Sequence, residues 1–332
     1  MTLPFVLFVN GLNDQGTVRV LGVGENNRLI YKGGGSCDIF RHLINQDFDV
    51  QNIILDSHSH SVMRLQREPD LVFNEISDAD SHRLTLKKAS HTLSQLDCPV
   101  LNHPDLILRT SRDQIYQQLK DIPGVIAPMT LRCVPHSPQD IIQQIADSEL
   151  HYPVIVRECG LHNGDKMVLL TRADELNELH SFAFDGREFY LIQFIDAQQD
   201  GVYSKYRIMV IDGKPYLRHA RYSDHWNVHF RSCFDFLNKH PHFYQTENHL
   251  LLHFETEMLP YIQSQIAAIY QKIKLDYFGI DCTLTAEKQI QLFEVNASMY
   301  CLNTTDPDPT RYADTIQKLK QKVVQMILNK IS

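Results

Sequence analysis

The sequence predicts an α/β fold, and three observations carry that expectation. Short apolar runs alternate with helical stretches over roughly the first hundred residues, the pattern of a sheet layered with helices. Two β-hairpins are written into the second half, turning at Asp212-Gly213 and at Ala286–Gln289. A long helical region, from about Glu247 to Lys274, separates them.

Each element follows from local pattern. Phe5–Val9, Val18–Gly22, Asn52–Leu55 and Leu71–Asn74 read as strands, Ile39–Asn45 and Ser81–Gln95 as helices. Pro99–Asn102 gives a further strand before a helix over Ser111–Asp121, capped by Ser111 or Thr110. Ala127–Arg132 and Pro153–Arg157 are strands around the helix Pro138–Ser148, and Phe189–Ile195 is another. Tyr203–Ile211 and Lys214–Tyr222 flank Asp212-Gly213, a strong two-residue turn signal. Pro260 breaks the long helical region or starts a fresh helix. Arg311–Ile331 closes the chain as an amphipathic helix.

With 332 residues the chain is long enough for one large or two to three modest domains. A boundary is expected near residue 100, although no flexible linker marks it. A formal net charge of −8 argues against general nucleic-acid binding, which needs a basic face. The seven cysteines are odd in number, lack CxxC spacing and mostly sit in apolar runs. There a reduced thiol behaves as a small hydrophobe, which suggests a reducing compartment. Leu3–Val9 has no basic flank, so it reads as a strand and not as a signal peptide. No stretch reaches the ~20 apolar residues of a membrane span. The expectation is a cytoplasmic protein with neither nucleic-acid nor membrane partners; self-association into a homo-oligomer is left open.

The most informative residues are Asp281, Glu294 and Asn296. Folding Gly279–Thr285 onto Ile290–Asn296 symmetrically about Glu287-Lys288 places Asp281 opposite Glu294, with Asn296 two residues along on the same face. Opposed carboxylates repel, and a divalent cation relieves them; hard oxygen donors without His or Cys suit Mg²⁺. A solvated sheet face would show the same pair. The inference hangs on turn length, because an odd-length turn separates the carboxylates onto opposite faces.

The other hairpin is basic. Symmetry about Asp212-Gly213 sets Arg207 opposite Arg218, and Lys205 shares their face. Such a row either lies in solvent or clamps an anion, and arginine's fork matches phosphate or carboxylate. Earlier, Arg157 ends an apolar strand and leads into Glu158–Gly164, a loop with glycines at both ends that could cradle phosphate or simply connect two strands. Gly33-Gly-Gly35 before the Ile39 helix reads as a flexible turn.

Asn102–Asp113, Tyr152–Arg157, Leu191–Asp196, Lys205-Tyr-Arg207, Gly279-Ile-Asp281 and Phe293–Asn296, taken in order, resemble the ATP-grasp superfamily. Within it they are similar to the glutathione-synthetase and ribosomal-protein glutamate-ligase-like branch. The likeness covers roughly residues 70 to 300, and its Asp…Glu-x-Asn end is the most specific part. It implies a pre-ATP-grasp α/β domain over residues 1–102, then a two-lobed ATP-grasp domain over 103–332, with lobes of about 103–192 and 193–332. It also implies ATP between the lobes. Gln193, Phe194 and Ile195 would be the hinge whose backbone meets adenine, with Asp196 at the ribose hydroxyls. Arg157 stands where the family has a phosphate-binding lysine, and Arg112 lies near a second such position. Arg207 matches the arginine of an Asp-x-Arg strand in which Lys205 replaces the aspartate. Asp281, Glu294 and Asn296 match the magnesium ligands.

The activity so implied is ATP- and Mg²⁺-dependent ligation through an acyl phosphate. Its substrates are a small-molecule or peptide carboxylate and an amine-type or other nucleophilic acceptor. Arg207 would offset charge on the transferred group, and Arg218 would hold the acyl phosphate or the substrate carboxylate. His225, Trp226, Asn227 and His229 follow the basic hairpin as residues expected to line the site. The loop beside Arg157 is poor in glycine, with His162-Asn163 between its glycines and Lys166 beyond, and arginines stand for lysines. Those departures keep a second reading in play, a nucleotide-binding module that serves as scaffold or regulator with little or no turnover.

Overall fold

The computed structural model describes residues 3–24, 29–32, 34–43, 47–59, 64–161, 166–303, 308 and 310–331. Its first layer contains β1 (Phe5–Gly11), the hairpin β2 (Arg19–Val23) and β3 (Leu29–Lys32), β4 (Asp49–Leu55), β5 (Leu71–Asn74), α1 (Arg83–Leu93) and β6 (Val100–Leu101). Four of these strands form a parallel sheet in the order β4-β1-β5-β6. Phe5–Val9 of β1 are all buried, as the continuous apolar run of a strand covered on both faces requires. The helix expected over Ile39–Asn45 is a correction. Its described part is a single 3₁₀ turn, Phe40–His42. Asp38 adopts a left-handed φ of 57°, and the buried Glu75 carboxylate accepts the Phe40 N–H at 2.7 Å. A side chain thereby takes a donor at the start of that segment.

The middle of the chain supplies α2 (Pro104–Ile107), α3 (Arg112–Leu119), β7 (Val125–Ile126), β8 (Thr130–Cys133), α4 (Pro138–Ala146), β9 (Val154–Glu158), β10 (Met167–Leu170) and β11 (Phe189–Gln193). The second sheet runs β10-β9-β11-β8 and is antiparallel throughout. The single strand expected over Ala127–Arg132 divides at Pro128 into two strands that serve different sheets. Proline lacks the N–H that a continuing ladder needs. Helix α4 opens on Ser137, whose Oγ accepts the Asp140 N–H at 3.3 Å, with Pro138 in the first turn.

The third layer contains β12 (Tyr203–Ile211), β13 (Lys214–Ser223), α5 (Phe230–Lys239), α6 (His242–His253), α7 (Leu259–Ile273), β14 (Tyr277–Leu284), β15 (Ile290–Asn296) and α8 (Ala313–Ile331). Its sheet runs β13-β12-β14-β15-β7, with β7 crossing from the middle of the chain to pair parallel with β15. Pro260 lies in the first turn of α7, and one wide turn, Phe254–Met258, joins α7 to α6.

Two apolar cores unite the first and third layers. One joins Leu7 and Val72 to Ile262, Phe278 and Ile280; the other joins Phe8 and Phe73 to Tyr277, Val323 and Ile327. The second sheet has a core of its own, around Ile141, Val156, Leu179 and Leu191. Asn102 pins the seam between first and third layers. It donates to Tyr277 O at 2.7 Å, accepts from Tyr277 N at 2.9 Å, and offers its own N–H to Asp276 at 2.9 Å. Among the described residues no helix is long and apolar enough to cross a membrane. All seven cysteines are free.

Candidate functional site

Asp281 faces Glu294 across β14 and β15, as the sequence predicts, by a route that simple symmetry misses. Near the turn Leu284 pairs with Ile290, Thr283 with Gln291 and Cys282 with Leu292. Continued unchanged, that register would set Phe293 against Asp281 and turn Glu294 to the other face. A bulge between Asp281 and Cys282 shifts the register by one residue and restores the Asp281–Glu294 and Gly279–Asn296 pairs. The loop is three residues, Ala286 to Lys288, closed by Thr285 N to Gln289 O at 3.0 Å, with Lys288 at φ 62°. The odd turn and the bulge cancel.

The repulsion expected between the two carboxylates is relieved by two guanidinium groups of the chain itself, where the sequence pointed to a divalent metal cation. Arg207 grips Asp281 with two hydrogen bonds of 2.7 and 2.8 Å, and Lys205 lies 3.6 Å away. Arg112, at the start of α3, bonds Glu294 and donates to Phe293 O at 3.1 Å. Burial alone would raise the Asp281 pKa, but Arg207 and Lys205 outweigh it and hold the carboxyl below the usual range. Asn296 Nδ2 donates to Glu294 at 2.7 Å, and Asn296 Oδ1 accepts from Ser298 N at 2.9 Å.

These residues suit a magnesium ion in kind. Two carboxylates and a carboxamide are hard oxygen donors, although Glu294 Oε1 already accepts from both Arg112 and Asn296. Among the described residues no cluster of three or more His, Cys, Asp or Glu side chains could hold a metal. A cation there would share Asp281 and Glu294 with Arg207 and Arg112, and would need oxygens from its ligand to complete its shell.

Arg157 is buried, at 6% exposure. Its Nη2 donates to Leu161 O, while Nε has no partner among the described residues. Burial, and then repulsion from Arg112, lower its pKa to about 10. The loop beyond it lies largely outside the described residues, His162, Asn163 and Gly164 included. Lys166, just beyond that loop, pairs with Glu158 at 3.0 Å.

The basic hairpin also departs from symmetry. A bulge between Arg207 and Ile208 makes His219, not Arg218, the partner of Arg207, and makes Arg221 the partner of Lys205. Arg218 is the extra residue of that bulge. Asp281 is the anion that settles the row, supplied by the third strand directly opposite Arg207. His219 is fully inside; burial, and then Arg221 and Arg207, hold its pKa well below the usual value, so the ring is neutral. Arg221 escapes a sequence reading because its register is visible only once the bulge is known.

These groups line one cleft of about 760 Å³ between the second and third sheets. Gln193, Phe194 and Ile195 form its opposite wall, but their backbone is partly engaged. Gln193 N donates to Met129 O at 2.8 Å, Phe194 N to Pro153 O at 3.1 Å, and Ile195 O accepts from Gln291 at 2.9 Å. Asp196 is exposed beyond the lining, where it closes a turn by accepting Gln198 N at 3.2 Å. Trp226, Asn227 and His229 do line the cleft, and Trp226 stands edge-on to Phe194 with ring centroids 5.9 Å apart. His225 stacks outside Trp226 at 5.5 Å. Gly34 and Gly35, read as a turn, reach the lining from the first layer.

No family model matches the sequence, and no curated protein matches it. Solved structures do. The chain is similar to D-alanine–D-alanine ligase from Bacillus anthracis, with a TM-score of 0.56 at 13% identity, covering 99% of this chain and 97% of that one. It is similar to D-alanyl-alanine synthetase A from Vibrio cholerae, with a TM-score of 0.54 at 14% identity over 100% and 99% of the two chains. A RimK domain protein of ATP-grasp type from Sphaerobacter thermophilus matches at TM-score 0.51 and 13% identity, over 98% and 99%. Near-complete coverage on both sides makes the likeness one of whole architecture, and this chain has the ATP-grasp fold.

Proposed function

We propose that the protein is an ATP-dependent ligase that activates a carboxylate as its acyl phosphate and passes it to an amine or another nucleophile. One observation carries the reading. A single cleft holds an aromatic and backbone-lined wall, Phe194 with Trp226, opposite a row in which Arg207 and Arg112 flank the paired carboxylates Asp281 and Glu294. The first wall suits a purine and the row suits a polyphosphate. Asp281, Glu294 and Asn296 would hold Mg²⁺, which supplies charge neutralisation at the phosphates.

The chain's own residues then divide the work. Arg157, buried with an unused Nε, presents a fixed positive charge to the nucleotide phosphates. Arg207 and Lys205 offset charge spreading over the group in transfer. Arg218 stands at the acid substrate. Acyl phosphate formation needs no protein nucleophile, because the substrate carboxylate attacks and ADP leaves.

The arginine grip on both carboxylates favours one rival, a module that binds nucleotide without metal and without turnover. The two readings part on a direct measurement. ADP release should require Mg²⁺ and rise with a suitable carboxylic acid and amine. Nucleotide binding indifferent to Mg²⁺, with no ADP released across a panel of acids and amines, would establish the rival.

A further inference from the structure

The bulge in the β12–β13 hairpin builds something that phosphate binding does not use. In a regular strand Arg218 and His219 would point to opposite faces; at the bulge both reach the cleft, and both are 4% exposed. Arg218 is held in one pose. Its Nε donates to Cys301 O at 2.9 Å, its Nη2 to Asn303 O at 2.7 Å, and its guanidinium lies 4.6 Å over the Tyr312 ring. Tyr312 is fixed in turn by its hydroxyl, which donates to the buried Glu247 at 2.9 Å. With that much of the fork tied down, Arg218 Nη1 has no partner among the described residues, nor has His219 Nε2. No carboxylate among the described residues pairs with Arg218, whose acceptors are both carbonyls. A buried cation and an adjacent buried ring nitrogen, each with an unused polar atom, are costly unless a ligand completes them.

The register gives the distance to the rest of the site. His219, Arg207, Asp281 and Glu294 form one row across four neighbouring strands. At roughly 5 Å per strand, the Arg218–His219 corner lies about 5 Å from Arg207 and about 10 Å from Asp281. A carboxylate being phosphorylated beside Arg207 does not fill that corner. A fixed guanidinium instead matches an anion that keeps its charge throughout the reaction, and a neutral imidazole adds a hydrogen bond without further charge.

We propose that Arg218 and His219 bind a second, non-reacting carboxylate of the acid substrate, so that the substrate is a dicarboxylate with a short carbon spacer. This rests on the ligase reading above. The test uses the full chain saturated with Mg²⁺ and a non-hydrolysable ATP analogue, titrated calorimetrically with butyrate, succinate, glutarate and adipate. At least one dicarboxylate should bind about tenfold more tightly than butyrate, the scale of one charge-assisted contact. His219→Phe keeps the ring volume and removes the polar nitrogen; Arg218→Lys keeps the charge and loses the fork. Each should cut the preference to about threefold or less. Dicarboxylates binding no better than butyrate, or a preference that survives in His219→Phe, would overturn the assignment even if Arg218→Lys fails to fold. The analogue is titrated separately first. Its failure to bind would remove the ligase reading alone, since the dicarboxylate series run without nucleotide still decides whether the corner holds the anion.

Discussion

Glu294 shows how much a single carboxylate can be asked to do. It bonds Arg112 and Asn296 and faces Asp281 across the hairpin. Glu294→Gln should abolish Mg²⁺-dependent ADP formation while the fold persists. Relief of repulsion would by itself make that variant more stable, but the ion pair reverses the sign. Losing a charged hydrogen bond to Arg112 should cost about 1.5–3 kcal/mol, read by urea unfolding. Undiminished ADP release from folded Glu294→Gln would remove the metal assignment. Arg157 makes the complementary case. Arg157→Ala should weaken ATP binding by about 1.5–3 kcal/mol, and Arg157→Lys should recover much of it, because charge matters there more than fork geometry. Unchanged calorimetric affinity in the alanine variant would make Arg157 structural. Asp281, Glu294, Asn296, Arg207 and Arg157 were singled out in the sequence, and the structure gathers them along one cleft. Their partners were not legible there. Nothing in a linear chain shows that Arg112 reaches Glu294, 182 positions away.

Strands and most helices were legible because period and turn residues announce them, as with β5 and the Asp212-Gly213 hairpin. The two bulges were not, since each is a one-residue miscount whose cause lies in the opposing strand. They decide the site. One returns Glu294 to Asp281, and the other brings Arg218 and His219 to the same cleft. The three-residue turn that makes the first bulge necessary holds Lys288 at φ 62°, a conformation that costs a non-glycine residue energy. Lys288→Gly should therefore stabilise the protein by roughly 0.5–1 kcal/mol, visible as a higher Tm with nucleotide affinity unaltered. A lower Tm would mean that the Lys288 contact with the Tyr261 ring, 5.9 Å away, outweighs backbone relief.

At the scale of the molecule, Arg132 ties the second sheet to the first layer. It bonds Asp80, Asp113 and Glu188 and lies 4.8 Å over the Tyr190 ring. Burial raises the Asp113 pKa, but its bonds to Arg132 outweigh that and leave the carboxyl below the usual range. A folded pKa below the unfolded value contributes stability above about pH 4, and that contribution fades as pH falls through the folded value. Arg132→Met should cost about 3–5 kcal/mol at pH 7, the scale for breaking a buried pair. The gap between the two proteins should narrow at pH 3. A gap that does not vary with pH would place the effect in lost packing.

The separate cores carry a mechanical meaning. First and third layers share their apolar interior and are riveted at Asn102, so they form one chassis. The second sheet, with its private core, is a jaw hung on that chassis by the crossings near Pro128 and Phe194 and by the Arg132 clasp. The carboxylate row belongs to the chassis and Arg157 to the jaw. A ligand that touches both, as the proposed nucleotide would, is then also a grip on the angle between them, and the clasp adjoins that row through the Tyr190 hydroxyl, which accepts the Arg112 N–H at 3.3 Å.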